Sequence, residues 1–256
     1  MGRKKGYSTI FISLLFHILW LVIGWEGPNL NAAMQSKRLL SFHFDKIEAR
    51  GALTIFVEPG KRNRQVEYFA DSEIIESIIA KVENRTLYLD ANNSLELSRR
   101  IPLLRLSALR VFPIEVIVSI DKLEEFRLLE NSTVSLKNLS GNELKLYHNS
   151  TGSLHLIESR FKNITVRQEG SGDIILKGRE TLDLDAKIFG NGSLLGEEFF
   201  LDNASIQHYG SGSILLAPNK WLDAQISSTG NLHLLAPPLG KVIRNEGKGG
   251  KIIEEY

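Results

Sequence analysis

The chain has 256 residues, 43% hydrophobic and 24% charged, which fits a globular protein with room for one sizeable core. Lysine plus arginine total 31 against 30 acidic residues, a formal net charge of +1, so no overall field favours nucleic acid. Cysteine is absent, which excludes a disulfide framework and a cysteine-linked lipid anchor.

Arg3, Lys4 and Lys5 precede the apolar run "IFISLLFHILWLVIGW" from Ile10 to Trp25, the pattern of an export signal. Residues 1–33 therefore read as a signal peptide or an N-terminal anchor that sends the rest of the chain across a membrane. The run is short of the roughly 20 residues of a full span. Small residues follow at Gly24, Gly27, Ala32 and Ala33 and favour a cleaved signal, although no clean A-x-A site is present.

Residues 42–120 form an N-terminal β region. "FHFDKIEA", "ALTIFVEPG", "QVEYFA" and "TLYLDA" alternate as strands do, with Pro59-Gly60 as a turn. "DSEIIESIIAKV" from Asp71 reads either as a short helix capped by Asp71 or Ser72, or as an extended crossover. "RRIPLLRLSALRVFP" at 99–113 sets Arg99, Arg100, Arg105 and Arg110 among leucines. The plain reading is solvated arginines over buried leucines; contact with a membrane or an anionic glycan is the alternative. "IEVIVSI" then returns to strand, and the whole region caps or begins a C-terminal repeat array.

Residues 121–256 repeat. The second glycine of each turn falls at Gly152, Gly172, Gly192, Gly212, Gly230 and Gly250, spaced 20, 20, 20, 18 and 20. Before these lie the apolar pairs Leu144/Leu146, Ile164/Val166, Leu184/Ala186, Ala204/Ile206 and Leu222/Ala224. After them come Leu154/Leu156, Ile174/Leu176, Ile214/Leu216 and Leu232/Leu234, with Gly196 interrupting one coil. Period-two alternation on both sides of each glycine means strands facing one core. A third inward position is expected at Phe161, Leu201, Trp221 and Leu239, with Thr181 the exception. A coil this small cannot bury its own apolar face, so like residues must stack in columns, which is a β-solenoid. The glycines are assigned to corners where positive φ is cheap. A phosphate-cradle reading fails, because a strand follows each glycine turn where a dinucleotide site needs a helix. Eight N-x-S/T sequons, at Asn84, Asn92, Asn131, Asn138, Asn149, Asn163, Asn191 and Asn203, read as ordinary turn and surface chemistry. Arg244 and Glu254 fall at expected inward positions of the last coil and suggest a polar cap. That cap argues for a monomer or weak dimer.

"GSGDIILKG", "GNGSLLG" and "GSGSILLA", preceded by "LTIFVEPG" and "TLYLD", resemble the GIN domain, an adhesin head family of bacterial envelope proteins. The similarity covers roughly residues 42–252. It implies a right-handed parallel β-helix and raises the expectation of binding. The arginine-rich stretch at 99–113 departs from the family pattern, and "STG" at 150–152 and 228–230 are degenerate copies.

Column arithmetic also tests for chemistry. His148 and His208 share an offset three coils apart, and His155 and His233 another four coils apart, too far to hold one metal. All four read as surface or corner residues. The most polar contiguous patch comprises Asp183 and Asp185, flanked by Asn163 and Thr165 in one coil and by Asn203 and Ser205 in the next. Oxygens so placed suit a sugar or calcium, yet an ordinary solvated face looks the same. No second carboxylate pair and no G-x-S-x-G elbow is present. The expectation is an all-β, non-enzymatic, exported envelope protein without cofactor, binding a polysaccharide or another envelope or surface component. It contacts a membrane only through an uncleaved N-terminal segment. The alternative is a carbohydrate-active enzyme of the β-helix type, a polysaccharide lyase or hydrolase.

Overall fold

A computed structural model of the chain describes residues 34–40, 43–60, 65–72, 74–92 and 113–256. The signal-like segment 1–33 and nearly all of the arginine-rich stretch lie outside them. The described strands form one 19-stranded sheet wound into a β-solenoid. The first seven are β1 (Met34–Leu40), β2 (Lys46–Arg50), β3 (Thr54–Pro59), β4 (Gln65–Asp71), β5 (Ile79–Glu83), β6 (Thr86–Asp90) and β7 (Glu115–Ile120). Next come β8 (Glu125–Glu130), β9 (Thr133–Lys137), β10 (Ser140–Ser150), β11 (Leu154–Ile157), β12 (Arg160–Gln168), β13 (Ile174–Ile188) and β14 (Leu194–His208). β15 (Ile214–Leu216), β16 (Pro218–Ile226), β17 (Leu232–Leu234), β18 (Gly240–Asn245) and β19 (Ile252–Glu254) complete the chain.

The N-terminal strands do not stack in sequence order. β2 lies parallel between β6 and β8, and β3 lies parallel between β7 and β9. The first coil in sequence is therefore the second in space. β4 pairs antiparallel with β7, β1 with β4, and β5 with β6, and these antiparallel strands cover the edge that the parallel coils leave open. From Asp71 the chain makes neither a regular helix nor a plain crossover. It turns once through the 3-10 segment Ile75–Ser77, entered from Ile74 without a side-chain cap, and continues into β5.

From β8 onward two parallel ladders run along the solenoid. Phe126, Leu146, Val166, Ala186, Ile206 and Ala224 form one inward column. Val134, Leu154, Ile174, Leu194, Ile214 and Leu232 form another, opposite. All twelve are buried. Burying each of the ten Val, Leu, Ile and Phe side chains among them contributes about 1.5–3 kcal/mol, so the columns carry the stability that disulfides would otherwise supply. Gly196 leaves space that the next coil uses: a Cβ there would lie 2.8 Å from Leu216 Cδ2.

The third inward position holds for half of the residues expected there. Phe161 and Leu201 are buried, as is Thr181, whereas Trp221 is 48% and Leu239 89% exposed. For Trp221 the cause is the short coil. Leu201 pairs with Pro218, a bulge follows, and Asn203 then pairs with Trp221, which puts buried Pro218 inside and turns the indole outward.

The corner glycines need a different explanation from positive φ, for none of the six has it. A Cβ on Gly172 would sit 2.0 Å from the Gly152 oxygen, and one on Gly192 would sit 1.9 Å from the Gly172 oxygen. Successive coils approach too closely there for any side chain. Left-handed backbone occurs instead at Asn138 (φ 56), Glu158 (φ 49) and Gly178 (φ 101), a column at another corner.

The end of the last coil also differs in its residues. Arg244 pairs with Gln225 on the outward side and bonds Asp223 at 2.5 Å, while Ile243 follows Ala224 inward. Lys241 stands over Leu222 and Glu254 over Leu234, and the two form an ion pair joined by Tyr256, whose hydroxyl is 3.0 Å from Lys241 Nζ. This pair reaches from one ladder to the other across the end of the core.

Candidate functional site

The polar patch lies on the outward side of β12, β13 and β14. Alternation decides this: Ile164, Leu184 and Ala204 point inward, so the residues on either side of each point out. Asn163, Asp183 and Asn203 stand in register, and beside them stand Thr165, Asp185 and Ser205. Asn203 Nδ2 donates to Asp183 Oδ1 at 2.8 Å. With its amide turned to suit its neighbours, Asn163 donates to Asp183 Oδ2 at 3.2 Å. Both Asp183 oxygens therefore accept from amides. The two amides hold the carboxylate in one orientation on the outward face.

Trp221 and Asp223 extend the two columns into the next coil. Sequence spacing alone put the indole inside, because it treated the 18-residue coil as if the two missing residues fell elsewhere. The ring lies across Gly240, where a Cβ would come within 2.4 Å of Cζ3, so this glycine makes room for it.

A third outward column carries Tyr147, Arg167, Lys187 and Gln207. Arg167 Nε donates to Glu169 Oε1 at 2.7 Å, and the Tyr147 hydroxyl donates to Glu169 Oε2 at 2.5 Å. The bond from Tyr147, with those from Arg167, holds the Glu169 carboxyl below its usual range. The Arg167 guanidinium lies 4.6 Å from the Phe189 ring centre, and Phe189 stacks on Tyr209 at 5.2 Å. These aromatics recur at equal offsets in successive coils, a signal that an apolar-column reading passes over.

Two of the four histidines in the repeat region are not at the surface. His148 and His208 are buried, and their Nε2 atoms donate to the carbonyl oxygens of Gly152 and Gly212 at 2.7 and 2.8 Å. Gln168 makes the same bond to Gly172 at 2.7 Å in the coil after His148. Burial pushes both histidines below their ordinary pKa. His155 is partly buried, and burial together with Lys177 and Lys137 lowers it too. His233 Nδ1 meets Glu255 Oε1 at 2.6 Å. Among the described residues no three acids or histidines come together as a metal site.

Elsewhere among the described residues, two further cavities are well defined. One of about 310 Å³ is lined by Lys46, Lys122, Glu124, Glu125, Glu143 and Lys145. Charges of both signs line it, and Lys122 pairs with Glu124. The other, of about 260 Å³, lies over Gly141 and Phe161, between Arg160, Lys162 and Leu182.

The coil architecture has solved counterparts. A structure described as a putative adhesin from Bacteroides fragilis superposes with a TM-score of 0.73 at 17% identity, covering 87% of this chain and 97% of that one. A putative adhesin from Parabacteroides merdae gives 0.60 at 18% identity, covering 88% and 97%. A protein from Parabacteroides distasonis described as a putative lipid binding protein gives 0.64 at 16% identity, with the same coverage. At these identities the likeness concerns the fold alone. No curated protein matches the sequence. The profile of the family described as putative auto-transporter adhesin, head GIN domain, matches residues 43–238, and the chain belongs to that family.

Proposed function

We propose that the chain is an exported, non-enzymatic envelope protein whose flat outward face binds a polysaccharide or another envelope or surface component. One observation carries this reading. The Asn163, Asp183, Asn203 and Thr165, Asp185, Ser205 columns stand in register on an open face, and the most prominent carboxylate is clamped between amides. Hydrogen-bonding groups repeat there every 4.8 Å or so, the spacing of neighbouring strands. A ligand made of repeating units can meet one set per coil. The basic n-region and apolar run of the N-terminus support export.

The test is incubation of the protein with a panel of neutral and acidic polysaccharides, scoring both retention and chain length. Retention without shortening is expected, weakened in the Asp183→Asn, Asp185→Asn double variant at unchanged melting temperature. Chain cleavage that the same double variant abolishes would overturn the reading in favour of a carbohydrate-active enzyme.

A further inference from the structure

We infer that Trp221 together with Asp183, Asp185, Asn203 and Ser205 forms a subsite for an uncharged polysaccharide laid along the solenoid axis. The inference rests on the surface-binding reading above and specifies its ligand.

The bulge after Leu201 turns the indole onto the outward face, in line with Asn203 and Asp183, and Gly240 lets it lie against the strand. Nearly half of it remains exposed, at 48%. An indole held this way offers a broad apolar surface beside fixed polar groups, the combination that sugar rings need, with C–H groups on one side and hydroxyls at the edge. Phe189 is covered by Arg167 on one side and Tyr209 on the other, and the stacking takes one face of Tyr209, so that pair presents a smaller ring surface than the larger indole.

Charge selects the kind of polysaccharide. Asp183 and Asp185 stand in the two columns nearest the indole, with Asp223 paired to Arg244, and Lys187 stands in the next beside Arg167, which is paired to Glu169. A polyanion brings like charge to Asp183 and Asp185, and a polycation brings it to Lys187. A hydroxyl donates to carboxylates and accepts from guanidinium and ammonium groups, so an uncharged polyol satisfies all three columns. Asn203 adds one amide, already directed by its bond to Asp183.

Equilibrium binding of the full chain to immobilised mixed-linkage β-glucan and mannan, to alginate and to phosphatidylcholine vesicles tests this. Retention by an uncharged polysaccharide is expected. Trp221→Ala should weaken it about tenfold or more at unchanged melting temperature, and Trp221→Phe should restore part of the loss. Retention by alginate alone, or by vesicles alone, would remove the subsite, as would a Trp221→Ala variant that binds like the parent. Alginate retention that still depends on Asp183 and Asp185 would leave the surface-binding reading standing. Retention by none of the surfaces would remove both.

Discussion

His148, Gln168 and His208 occupy one inward column, and each reaches the carbonyl oxygen of the glycine four residues on. A carbonyl only accepts, so each histidine carries a proton on Nε2, and burial favours the neutral form of the ring. Burial holds both histidines below their ordinary 6.5. In the unfolded chain they protonate near that value, so the unfolded state binds more protons below it. Their contribution is complete above pH 6.5 or so and declines as pH falls towards the depressed folded values. The melting temperature should drop between about pH 7 and pH 5. His148→Gln with His208→Gln, copying Gln168, should flatten that slope; an equally steep slope in the double variant would show that other groups cause it. At the neighbouring corner glycines the positions were legible from spacing, but the reason for them was not. Spacing within one coil says nothing of how near the next coil's carbonyl comes, and at Gly192 that distance leaves no room for a Cβ.

At the level of elements, the parallel ladders were legible because apolar residues recur at period two within strands and near period 20 between coils. The bulge in β16 was not, since a deletion of two residues can be absorbed at any point of a coil. Its placement between Leu201 and Asn203 decides that Pro218 is inside and Trp221 outside. The N-terminal order was hidden for a different reason: the partners of β2 are β6 and β8, neither adjacent to it in sequence. At the opposite end the edge strands β18 and β19 carry Lys241 and Glu254 in inward positions, paired across the core and joined by Tyr256. Charges at an open solenoid end discourage another copy from continuing the stack. Replacing both, as Lys241→Leu with Glu254→Leu, exposes an apolar end and should produce concentration-dependent association in light scattering. A double variant that stays as dispersed as the parent would show that the ion pair is not what blocks stacking.

Across the whole molecule, a continuous core of stacked columns holds an outward face flat and repetitive. Rigidity of this kind fixes polar side chains without loops to order, which lowers the entropic cost of meeting an extended ligand. The candidate face was partly legible. Asp183, Asp185 and their neighbours follow from register arithmetic, whereas the role of Trp221 required the bulge to be seen. The claim that this face is where the protein meets its ligand is tested most directly by carbodiimide labelling of carboxylates, read by mass spectrometry, with and without a retained polysaccharide. Asp183 and Asp185 should be labelled in the free protein and protected in the complex, while Glu115, exposed on β7, labels equally in both. Equal labelling of Asp183 and Asp185 with and without the polysaccharide would contradict the account.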